Sequence, residues 1–201
     1  MRFTWALLVS GIVAISCLAG GQERGKGQKK DPQERFEPRG APGAGQKYLL
    51  KYVGDFDVVK TLTFREDQPV RSTGTCKQTM VQDGKFLQSD FTFEGAGGKT
   101  TGMGLIGFEG NTKLFTSVWI DSRQTKMSLR QSKTPFDGEE IVLFSRSLAE
   151  NAKGGRQSKT VTKMEADGNK IIHRQFNMTP DGKERVVMEL VLTRRGAAST
   201  K

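Results

Sequence analysis

Between Leu62 and Thr193 the chain changes character at every second residue, and Asp-Gly pairs cut that alternation into short pieces. Side chains two apart share one face of a strand, so a period of two suits a half-buried β-strand and cannot serve a helix. Leu62 and Phe64 alternate in this way, then Gly74, Cys76, Gln78 and Met80, then Leu87, Ser89, Phe91 and Phe93. The segments 114–120, 140–148, 158–164, 170–178 and 184–193 repeat the form. Asp83-Gly84, Asp137-Gly138, Asp167-Gly168 and Asp181-Gly182 stand between them and supply the positive φ that a tight hairpin turn requires. Glu109-Gly110-Asn111 and Asp121-Ser122 are softer versions of the same signal. The spacing predicts an all-β domain, an antiparallel meander of about ten strands joined mostly to their sequence neighbours. Only the stretch 147–155 reads as a short helix or a wide loop.

A meander of that many strands must protect its edges, and closing into a barrel removes them. A barrel of roughly 8 to 10 strands has room for a small ligand. Gly102, Gly104 and Gly107 are expected to mark kinks or bulges at a barrel corner. The strands are too short, and too charged on their outer faces, for a transmembrane barrel.

Ahead of this domain, Met1-Arg2 and the apolar run from Phe3 to Ala19 have the form of a secretory signal peptide, placed at residues 1–20. The run is short for a membrane span, which needs ~20 residues. Ala14-Ile15-Ser16-Cys17 also resembles a bacterial lipoprotein signal, which makes Cys17 the lipidation candidate, although Ala14 replaces the usual Leu. Residues 21–47 hold six glycines and three of the six prolines, with Phe36 as the only aromatic, so they are expected to form a disordered linker. The barrel domain is assigned to residues 48–195 and a flexible tail to 196–201. Export implies a periplasmic or extracellular location, with the membrane reached only through the leader or a lipidated Cys17. Cys76 is then the one cysteine of the mature domain, and a small buried strand residue is its expected role.

The formal net charge is +10, a value that raises nucleic acid as a partner. From Tyr48 onward, however, 24 Lys and Arg face 18 Asp and Glu, and the signs interleave without a basic run longer than Arg194-Arg195. That is a solvated surface with a positive bias, and no nucleic-acid partner is expected.

Gly102-Met103-Gly104-Leu105-Ile106-Gly107 fits the dinucleotide pattern G-x-G-x-x-G. That pattern works by presenting a helix N-terminus to pyrophosphate, whereas here another strand follows, so the match carries no nucleotide. His173 is the only histidine, which leaves no set of ligands for a metal and at most one imidazole for a catalytic relay. It is expected to be a half-exposed strand residue, lone haem ligation being the chemical alternative. Trp119 and Asp121 share a strand face with Phe115 and Ser117, so ring and carboxylate could orient a polar ligand inside a barrel. Neither a catalytic set nor a cofactor is expected.

Four stretches resemble the exported bacterial family numbered 1579 among domains of unknown function. They are Gly54-Asp55-Phe56, with Phe where the family has Trp; Met80 with Asp83-Gly84-Lys85-Phe86-Leu87, with Lys85 for Arg; Gly102 to Glu109, with Phe108-Glu109 for Tyr-Asp; and Trp119-Ile120-Asp121-Ser122. The resemblance implies a calycin-like, lipocalin-like barrel and brings no activity, ligand or catalytic residue with it. The expected function is non-catalytic binding of a small, partly apolar molecule, with Met80, Phe86, Phe115, Trp119 and Asp121 as candidate lining. A structural or protein-interaction module of the cell envelope is the alternative, and an enzyme ranks third.

Overall fold

The computed structural model describes residues 40–63, 68–95, 97–146, 158–165, 167–179 and 181–196. The leader with Cys17, most of the linker, the stretch 147–155 and the tail from 197 lie outside the described residues. A short helix, α1 (Ala44–Leu49), and a 3-10 turn (Leu50–Tyr52) lead into ten strands. These are β1 (Gly54–Leu62), β2 (Val70–Val81), β3 (Phe86–Gly95), β4 (Gly98–Glu109), β5 (Leu114–Asp121), β6 (Ser128–Gln131), β7 (Ile141–Arg146), β8 (Ser158–Met164), β9 (Lys170–Met178) and β10 (Glu184–Arg194). Each strand pairs antiparallel with its sequence neighbours, and β10 returns to β1 to close the barrel. The closing register runs from Phe56 opposite Arg194 to Leu62 opposite Met188. Without that seam both β1 and β10 would present a row of unpaired N–H and C=O groups to water.

The period of two becomes an inside and an outside. Phe56 and Val58 of β1, Cys76 of β2, Leu87, Phe91 and Phe93 of β3, Phe115 of β5, Ile171 of β9 and Leu190 and Leu192 of β10 are all buried. Burial raises the Cys76 thiol well above its ordinary pKa, and Asp90 and Asp55 add to the shift.

Two expectations about glycine need correction. β4 runs in unbroken register with β3 and β5, so Gly102, Gly104 and Gly107 form no bulge. They are small because rings lie on them: a Cβ on Gly102 would come within 2.3 Å of the Trp119 ring, and one on Gly107 within 2.7 Å of Phe86. The register shift falls instead between Val186 and Met188 of β10. In the turns, Gly84, Gly138, Gly168 and Gly182 all take positive φ, but of the four aspartates only Asp83 joins them. A two-residue type I′ turn needs positive φ at both positions, so at Asp137, Asp167 and Asp181 glycine alone takes the left-handed place, while Gln82, Asp83 and Gly84 all take it in a four-residue connection between Val81 and Phe86.

One end of the barrel is stoppered. The domain begins before Tyr48, because Gly43 caps α1 and its N–H donates to Gln46 Oε1 at 2.8 Å. Gln46 Nε2 donates to the Phe108 carbonyl at 2.8 Å, which ties the helix to β4. Tyr48 hydrogen-bonds the Glu139 carbonyl, and Tyr52 donates to the Tyr48 hydroxyl at 3.2 Å. Burial, then the bond to Tyr48, lifts the Tyr52 phenol far above its ordinary pKa. Phe108, Phe115 and Phe136 complete the stopper, with ring centroids 4.9 Å apart for the first pair and 5.0 Å for the second. Arg194, at the end of β10, stitches the stopper to the seam by donating to the carbonyls of Val53 at 2.6 Å and Lys51 at 3.0 Å.

Candidate functional site

The barrel is not filled. A cavity of about 420 Å³ lies inside it, floored by Leu49 and Tyr52 of the stopper. One arc of its wall is apolar: Leu87, Phe91 and Phe93 of β3, Ile106 of β4 and Trp119 of β5. The rings pack on each other, Phe91 against Trp119 at 5.5 Å edge-on and Phe91 against Phe93 at 5.7 Å stacked. Gly102 and Gly104 leave the space in which the indole lies flat on β4.

The other arc, from β6 to β9, is mixed: Ile141 and Leu143 of β7 and Ile171 of β9 stand among polar side chains. Ser128 and Arg130, Thr160 and Thr162, and His173 and Gln175 all line the cavity. Thr162 Oγ1 lies 2.7 Å from His173 Nδ1. Burial first, and then the charge of Arg130, pushes the His173 imidazole down to about 4, so it is neutral at pH 7. Arg130 Nη2 donates to Gln175 Oε1 at 3.3 Å, while its Nε is buried without a partner. Gln78 Oε1 is also buried and unpartnered, although Gln78 Nε2 donates to Ser89 Oγ at 3.0 Å. Lys60 of β1 lies on the opposite side, five strands from β6 in either direction round the barrel. Its ammonium sits 3.8 Å from the centroid of Phe93, and burial, with Arg123 second, lowers its pKa against the pull of Asp121.

Of the five side chains expected to line a pocket, Trp119 and Asp121 do so. Trp119 Nε1 donates to Asp121 Oδ2 at 3.1 Å, as the shared strand face requires. Asp121 is not free to orient a ligand, because its carboxylate is already engaged. Its side chain is 3% exposed, and Arg123 and Gln124 supply four further hydrogen bonds. Burial alone would raise this carboxyl, but those donors and Trp119 outweigh it and hold the group well below the usual carboxylate range. Phe86 faces outward over Gly107 and is 37% exposed, because Leu87 takes the inward parity. Phe115 is buried in the stopper, and Met80 packs against the core away from the cavity wall.

Lys60, Arg130 and Gln175 escaped the sequence reading, and His173, half-buried as expected, faces the cavity. A signal existed for two of the strands: Lys60 has the parity of Phe56 and Val58, and His173 and Gln175 have that of Ile171. A polar side chain on the core parity is the mark of a lined cavity. Arg130 had none, since β6 is four residues long and shows no alternation to read. Among the described residues no three His, Cys, Asp or Glu side chains come together to hold a metal.

No curated protein matches the chain. Among solved structures it is similar to the crystal structure of Rv2717c from M. tuberculosis, with a TM-score of 0.54 and 16% identity over 77% of this chain and 99% of that one. At that identity the likeness shows a shared barrel fold. Residues 41–194 match the family model described as protein of unknown function (DUF1579), and the match spans the stopper, every strand and the cavity they enclose: the chain belongs to that family.

Proposed function

We propose that the protein is an exported binding module which holds a small, partly apolar molecule inside its barrel. One observation carries the reading: a cavity of about 420 Å³ with rings on one arc and mixed polar and aliphatic side chains on the other, above an aromatic stopper. Small-molecule sites typically span about 300–1,000 Å³ and combine apolar lining with a few placed polar groups. A barrel that served only as a rigid scaffold would gain stability by filling this space, since every unfilled volume forfeits packing. Export rests on the leader at residues 1–20, and delivery to a membrane would rest on Cys17.

Trp119 is the built-in reporter. The only other tryptophan is Trp5, in the leader, so a Trp5→Phe variant leaves the cavity ring as the sole indole. Organic extraction of protein from its native source, followed by mass spectrometry, should release a stoichiometric small molecule. Returning that molecule to the stripped Trp5→Phe protein should shift Trp119 emission saturably. An empty extract, with no emission response to any apolar compound, would leave the packed envelope module as the better account.

A further inference from the structure

Four cations line the cavity, Lys60, Arg123, Lys126 and Arg130, against one carboxylate, Asp121. Asp121 is already committed to Arg123, Gln124 and Trp119. Among the described residues no carboxylate pairs with Arg130 or Lys60. A guanidinium offers five N–H donors, and this one delivers a single bond, to the neutral amide of Gln175. Its Nε is both buried and unpartnered, which costs free energy until an acceptor arrives. The neighbouring imidazole contributes no charge of its own, being neutral and tied to Thr162.

Building on the cavity as a binding site, we propose that the ligand is an organic monoanion, a carboxylate joined to an apolar body, whose head pairs with Arg130 of β6 while its body lies along Phe91 and Trp119. A planar carboxylate matches the guanidinium fork and can take the orphaned Nε–H together with a second N–H in parallel. A single charge is the better complement, because Arg130 is the one lining cation carried on β6, β8 or β9; Lys60 faces it from across the barrel, and Arg123 and Lys126 precede β6. The apolar arc accounts for the body, since stacked and edge-on rings 5.5–5.7 Å apart present a flat surface to an aryl or alkyl group. Lys126 and Arg123 add positive potential to the same cavity, which speeds capture of an anion from solution.

Calorimetric titration of the full-length protein with naphthylacetate, naphthylethanol and naphthyl phosphate separates the possibilities, for the three share a body and differ in the head. The acid should bind about tenfold or more tightly than the alcohol, the difference expected of a charge-assisted hydrogen bond. Arg130→Gln should bring the acid down towards the affinity of the alcohol, with a cooperative thermal unfolding transition certifying that the variant is folded. Arg130→Lys should keep part of the preference. Equal binding of acid and alcohol by the wild type, a comparison that needs no variant, would overturn the assignment of an anion and leave the cavity reading intact. Retention of the acid preference in Arg130→Gln would overturn the role of Arg130, and a tighter phosphate would overturn the choice of carboxylate. Binding of none of the three would take down the cavity reading and this inference with it.

Discussion

His173 and Asp121 are both held far from their ordinary titration, in ways that pH and substitution can expose. The His173 imidazole titrates near 6.5 in an unfolded chain and about 4 in the folded one. The unfolded state therefore binds the extra proton over the window between those values. Stability from this residue is complete above pH 6.5, is lost as pH falls towards 4, and changes no further below that. The loss should be no more than about 3 kcal/mol, the free energy that corresponds to moving one titration between those two values. Thermal unfolding measured from neutral pH to about pH 4 should show this slope, and a His173→Gln variant should flatten it. At Asp121 the carboxylate collects five hydrogen bonds from a tryptophan, an arginine and a glutamine. Asp121→Asn keeps the shape, but it removes the charge that Arg123 answers and puts an N–H₂ among donors. Denaturant unfolding should register a loss of about 1–3 kcal/mol, and Trp119 emission should move because its N–H partner has changed.

At the scale of elements, α1 shows how a short helix can matter through what it presses upon. Gly45 lies on the face of Phe108, and a Cβ there would come within 2.1 Å of the ring. Alanine favours a helix over glycine by about 1 kcal/mol, but forcing a methyl into packed aromatics costs about 1–3 kcal/mol. Gly45→Ala should therefore destabilise on balance, and a melting temperature equal to the parent's would mean that the stopper shifts freely. The helix was not legible in the sequence, because six residues leave no room for a 3.6-residue period and its glycines read as linker. The alternation was legible in β3 and β10, whereas the sequence reading enters β1 only at Leu62, its last residue, and takes the glycines of β4 for kinks. Alternation says which residues share a face but not which of them reach a cavity rather than a packed end. That is why Phe115, on the same face as Trp119, went into the stopper while Trp119 lined the cavity.

Taken whole, the barrel is a ring of ten pairings that differ in length. β3 and β4 are joined through ten residue pairs, whereas β6 is held by four to β5 and three to β7. Local opening starts where the fewest backbone bonds must part. In heavy water, the amide protons of Leu129 and Gln131 should exchange well before those of β3 and β4, and uniform exchange around the ring would refute this. Arg130 is carried on that same four-residue rung. A guest paired with its guanidinium and leaning on Phe91 and Trp119 would span the gap from the inside, bracing one of the two loosest staves of the cask, β6 beside β7, against the firm ones. Occupancy would then be written in the deuterium uptake of β6, as protection gained by a strand whose own lateral bonds are too few to hold it shut.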